Sequence, residues 1–167
     1  DVDGVAALAR RSRLVTILGP GGMGKTRVAM QLAARWEAEG ERVSVAELAD
    51  VGNAADLAGA VAAMVGVSSE LAPSPAVALC DHFGDDRWIL VVDNCEHVLA
   101  QVHDLLATLL GSCARLSVVA TSREAIGLDG EHRWALHGLG DTDATRLFLD
   151  RVAAHDPVAA PVIDDVR

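Results

Sequence analysis

The chain has no tyrosine, two phenylalanines and three tryptophans in 167 residues. That is too few aromatic rings for a platform on which nucleic-acid bases stack. Basic side chains are also in deficit, 14 against 24 acidic ones, which leaves a net charge of −10 with histidine neutral. Such a surface repels phosphate backbones, so direct nucleic-acid binding by this segment is not expected. No apolar run approaches the ~20 residues of a membrane span, and no signal-peptide pattern opens the chain. The expectation is a soluble, cytoplasmic protein without a membrane partner. Cysteine is limited to Cys80, Cys95 and Cys113, an odd number without zinc or redox spacing, so all three are expected as small buried apolar residues. The six histidines have no HExxH-type spacing.

Lysine is the scarcest charged residue: 13 of the 14 basic side chains are arginine and one is Lys25. A chain that uses arginine for its generic cations and keeps one lysine points to a need for a compact, flexible ammonium there.

About half of the residues are apolar, enough for one domain with a sizeable core. Apolar runs alternate with helical periods, the pattern of a parallel α/β sheet. Strands are expected at Leu14–Leu18, Arg42–Leu48, Trp88–Asp93, Leu116–Ala120 and Arg133–Leu136. Helices are expected over Val5–Arg11, Lys25–Glu39, Asp56–Val65, Ala76–Phe83, Val98–Leu110 and Thr142–Ala154.

Between the first strand and the second helix lies Gly19-Pro-Gly-Gly-Met-Gly-Lys25-Thr26, which fits GxxxxGK[ST] without a mismatch. Glycines at 19, 21, 22 and 24 let backbone N–H groups curl round phosphates, and the helix dipole adds positive potential. Gly19, Gly21, Gly22, Met23, Gly24, Lys25, Thr26 and Arg27 are therefore the candidate nucleotide-binding residues. Lys25 would reach the β and γ phosphates, and the Thr26 hydroxyl would take one position on Mg²⁺. Asp93 ends the most apolar strand, where a carboxylate can share that Mg²⁺ with Thr26. The next residue, Asn94, is no useful proton acceptor. Glu96 is either the water-activating base or a charge at a helix N-terminus. Arg123, just past the next strand, lies on the sheet edge where parallel sheets place ligands. It is either a sensor of the γ-phosphate or the partner of Glu124 or another surface acid.

The segments GPGGMGKTRVA, WILVVDNCEHV and SVVATSREAIGLDGEHRWAL resemble the nucleotide-binding core of the NB-ARC class of signal-transduction ATPases with numerous domains (STAND). The flavour is that of the ATPase module in large bacterial transcriptional regulators of the AfsR-like (antibiotic regulatory protein) and LuxR-like kinds. The likeness runs from Arg13 to about Asp156. It implies a P-loop NTPase fold with a five-stranded parallel sheet ordered 5-1-4-3-2. It makes Lys25 and Thr26 the P-loop pair, Asp93 the metal acid and Arg123 the sensor, with ATP or ADP and Mg²⁺ as cofactors. It further implies a nucleotide-binding domain over residues 1–140 and the start of a helical ARC-like region over 141–167. Winged-helix, helical-repeat and DNA-binding domains of a parent regulator would be partners, and nucleotide-dependent self-association would be available. The family's hydrophobic-Gly-Arg-Glu opening and its Gly-Leu-Pro-Leu motif are missing, so the likeness implies an excised core. Many relatives also carry a second acid where this chain has Asn94, which leaves slow hydrolysis and binding without hydrolysis both open. A free-standing small-molecule kinase is the remaining alternative, although no lid-like arginine cluster is visible outside the first thirteen residues.

Overall fold

The structure, a computed structural model, describes residues 2–52 and 56–136. Five strands form one sheet: β1 Leu14–Leu18, β2 Arg42–Glu47, β3 Trp88–Asp93, β4 Leu116–Ser122 and β5 Glu131–Ala135. Their order is β2-β3-β4-β1-β5 and every pairing is parallel. Read from the other edge this is 5-1-4-3-2, the order that the family likeness implies. Among the described residues five α-helices accompany it: α1 Val2–Ala9, α2 Lys25–Ala38, α3 Leu57–Met64, α4 Pro75–Phe83 and α5 Leu99–Ser112. The helix expected over Thr142–Ala154, and the division at residue 140, lie outside the described residues.

The central strands are apolar on both faces, as strands covered by helices on each side must be. Because side chains alternate, Leu14, Leu90, Val92, Val118 and Ala120 join the core beneath α3, α4 and α5. Val15, Ile17, Ile89, Val91 and Val119 join the opposite core beneath α1 and α2. Trp36 of α2 is only 2% exposed in this second core. Burial of each such side chain supplies ~1.5–3 kcal/mol against exposure. The sheet is thereby fixed as a rigid platform.

Helix starts follow from local chemistry. Asp56 caps α3 by accepting from Gly59 N at 2.9 Å. Ser74 caps α4, with Pro75 in the first turn where its missing N–H costs nothing. Four strand boundaries differ from the expectation; β2 ends at Glu47 and β5 at Ala135, each one residue early, and two differences are larger. β4 runs on through Thr121 and Ser122, which stand opposite Ile17 and Leu18 of β1. β5 begins at Glu131 because the Glu131 carboxylate, 1% exposed, accepts from the buried Thr16 hydroxyl at 2.7 Å. Backbone N–H groups of Ile126 and Gly127 donate to it at 2.8 and 3.1 Å, and Arg133 Nε at 3.2 Å. Cys95 and Cys113 are buried as expected, whereas Cys80 is half-buried at the core's margin. No helix among the described residues is long and apolar enough to cross a membrane.

Candidate functional site

Since all five strands point one way, the loops after β1, β3 and β4 meet at one edge of the sheet. There they line an open cleft of about 540 Å³. Gly21, Gly22, Gly24, Lys25, Thr26 and Arg27 form one wall, and Asn94, Glu96, Thr121 and Arg123 the other. The residues singled out from the sequence thus converge from three separate segments. Gly19 stands at the base of the loop, within 3.8 Å of Met23 if given a Cβ; neither Gly19 nor Met23 lines the cleft.

The loop from Gly19 to Gly24 reverses through Gly22 and Gly24, with φ of 78° and 85°. An L side chain is strained in that region, so both positions need glycine. Gly24 is also the N-cap of α2 and supplies no side-chain hydrogen bond. The first turn of α2 contains no acid. It contains Lys25 and Arg27, two cations where the helix dipole disfavours them. Lys25 is 8% exposed, and its Nζ donates to the carbonyls of Gly19 at 2.8 Å and Pro20 at 3.1 Å. Backbone N–H groups, dipole and cations all favour an anion in this wall. A polyphosphate satisfies that combination.

Asp93 is 5% exposed, and hydroxyls engage both its carboxylate oxygens. Thr26 Oγ1 donates to Oδ2 at 2.9 Å, and Thr121 Oγ1 to Oδ1 at 2.5 Å. One carboxylate and one hydroxyl in contact fit a hard divalent cation such as Mg²⁺, which takes few protein oxygens and keeps water or phosphate for the rest. Among the described residues no group of three or more His, Cys, Asp and Glu is arranged to hold a metal by itself.

Sequence reasoning missed Thr121. It is buried at 1% exposure and also accepts the Asn94 N–H at 2.9 Å. That bond holds the chain where it leaves β3, because Asn94 adopts a left-handed conformation with φ 64°. A 3-10 turn, Cys95–His97, follows directly. Cys95 anchors it with no exposure. Burial, then the nearby Asp93 and Glu96 carboxylates, push the Cys95 thiol up to about 12, so it is no nucleophile at neutral pH. Thr121→Val is expected to lower unfolding stability by about 1–3 kcal/mol, since two buried polar groups lose their partner. Thr121→Ser should restore most of it in urea titrations, and equal losses for both would show that the hydroxyl is irrelevant.

Arg123 pairs with Glu96 on the same wall of the cleft, Nε to Oε1 at 3.1 Å, and not with Glu124. The second Glu96 oxygen is buried without a partner.

Comparison with known proteins agrees with this fold. A Mycobacterium tuberculosis protein, provisionally named an HTH-type transcriptional regulator, is 38% identical over 152 residues. The match takes in 90% of this chain and only 17% of that regulator. Among solved structures, Drosophila ORC bound to DNA superposes with a TM-score of 0.63 over 86% of this chain and 43% of that one, at 15% identity. A STAND protein with a tetratricopeptide repeat sensor from Pyrococcus horikoshii gives 0.58 over 94% of this chain and 26% of its own, also at 15% identity. At such identities the two structures share the fold. The family model described as AAA domain (dynein-related subfamily) matches residues 15–125, a span that holds the phosphate loop, Asp93 and Arg123, and the chain belongs to that family.

Proposed function

We propose that this chain is the nucleotide-binding switch module of a larger transcriptional regulator, taking Mg²⁺-ATP or ADP and hydrolysing ATP slowly. The observation that carries the proposal is the convergence of Lys25, Thr26 and Arg123 on one cleft, with the Asp93 carboxylate bonded to Thr26 at its floor. The name of the mycobacterial relative supports the regulatory part, and the STAND neighbour supports a switch. Within this proposal Lys25 and the loop N–H groups hold the phosphates, and Arg27 adds positive potential at the mouth. Thr26 and Asp93 hold Mg²⁺, which when bound neutralises phosphate charge and orients the chain of phosphates. Arg123 reads the γ-phosphate. The division into residues 1–140 and an ARC-like start at 141–167 belongs to the same proposal, as do the partner domains and self-association.

Binding without hydrolysis is the second reading, and a specific contact favours it. Glu96 is the nearest candidate base after Asn94, and one of its oxygens is already engaged by Arg123. An oxygen already occupied by a guanidinium N–H is not placed to take a proton from an attacking water. A phosphate-release assay separates the two readings.

Arg123→Ala tests the switch itself. A charge-assisted contact to the γ-phosphate is worth ~1.5–3 kcal/mol, so a non-hydrolysable ATP analogue should bind about tenfold more weakly. ADP affinity should hardly change. Parallel titrations decide, and an equal loss for both nucleotides would remove the sensor role.

A further inference from the structure

Arg123 is an exposed side chain, 63% accessible, yet it has a defined direction. Its Nε donates to Glu96 Oε1 at 3.1 Å. Its far end lies against the phosphate loop, so that a Cβ on Gly21 would stand 3.1 Å from one terminal nitrogen. The guanidinium is therefore gripped at one corner while one terminal nitrogen, Nη2, lies beside the loop. Glu96 is itself held. It is 19% exposed, in a 3-10 turn anchored immediately before it by buried Cys95 and by the Asn94–Thr121 bond.

We propose that Glu96 is a positioning residue for Arg123, aiming its terminal nitrogens at the site of the γ-phosphate before nucleotide arrives. The inference rests on the reading of Arg123 as the phosphate sensor. A free arginine side chain gives up much rotamer freedom when it binds, and one already oriented gives up less. The contact needs only an acceptor oxygen at Oε1, whereas a general base needs a carboxylate. The absence of a side chain at residue 21 then has a second use, since it leaves room for the guanidinium beside the loop.

The test titrates the intact chain with ADP and a non-hydrolysable ATP analogue in five forms: parent, Glu96→Ala, Glu96→Gln, Arg123→Ala and the Ala/Ala double variant. Glu96→Ala should weaken the triphosphate by roughly fivefold or more and change ADP by less than about twofold. Glu96→Gln keeps the acceptor and should stay within about twofold of the parent for both. In the double variant the loss should equal that of Arg123→Ala alone, because one contact is removed twice. If Glu96→Ala does not fold, Glu96→Asp withdraws the oxygen by one methylene and should give the same selective loss. Additive losses would overturn the proposal. So would tighter triphosphate binding by Glu96→Ala, which would make Glu96 a competitor of the phosphate. Parent-like binding by both Glu96 variants with lost phosphate release would assign it as the base instead. If Arg123→Ala itself fails to discriminate ADP from the triphosphate, the sensor reading fails first, and that result is distinct from the others.

Discussion

Replacing Lys25 by alanine is expected to reduce the affinity for ATP by at least about a hundredfold, or ~2.7 kcal/mol. No other lysine exists in the chain to take over. The neighbouring cation in the same turn, Arg27, is a planar fork on an exposed stem and cannot occupy the centre of the loop. The ammonium also ties two loop carbonyls, Gly19 and Pro20, so alanine removes both a phosphate ligand and a loop clamp. Stability should respond differently. Lys25 opposes the dipole of α2, an interaction of ~0.3–1 kcal/mol at such positions, so its removal offsets part of the lost clamp and Tm should fall by only a few degrees. Calorimetric titration with a parallel thermal melt therefore separates loss of the site from loss of the fold. Binding within a few-fold of the parent would mean that phosphates are held elsewhere.

Glu131→Ala should have the largest effect on stability, about 2–4 kcal/mol near neutral pH, or roughly 5–15 °C in Tm. Burial alone would raise the carboxyl's titration, but hydrogen bonds from Thr16, Ile126, Gly127 and Arg133 outweigh it and hold the group below the usual carboxylate range. A carboxyl whose folded value is depressed contributes stability that is complete above its unfolded value, about 4.3 for glutamate. That contribution is lost as pH falls through the folded value. The gap between parent and variant should thus be widest at pH 6–7 (on the order of the figure above) and shrink steadily below about pH 4. Melts at several pH values test this. A gap that does not change with pH would mean that the shape of the side chain matters and its charge does not.

The phosphate loop was legible because its grammar is local: an apolar strand, a glycine turn, a lysine and a helix start within thirteen residues, Leu14 to Thr26. The order of the sheet came from the family likeness, since periodicity identifies strands without ranking them. What the sequence concealed depends on register. Val92 stands opposite Ala120, so the following residues, Asp93 and Thr121, meet at the strand ends. No local pattern announces that meeting. The Glu131 knot was hidden in the same way, although it left one sign, a threonine inside the apolar run Leu14–Leu18. A hydroxyl buried in a central strand needs a partner, and Glu131 reaches it from β5. The partner of Arg123 went to Glu96 rather than Glu124 because the 3-10 turn after β3 brings residue 96 back over the cleft.

The backbone at residue 94 also limits which side chains the chain can tolerate there. With φ at 64°, a left-handed turn accepts glycine, asparagine and aspartate readily, and costs other residues ~1–2 kcal/mol. Glutamate, valine and isoleucine are disfavoured before any question of chemistry arises. The choice of asparagine after Asp93 is thus first a choice of backbone, made so that the chain can turn sharply and bury Cys95. Within that narrow alphabet only aspartate carries a charge, so Asn94→Asp would set a second carboxylate beside Asp93 without backbone strain. A paired acid at the end of β3 therefore lies one residue away on a mutational path that the fold leaves open.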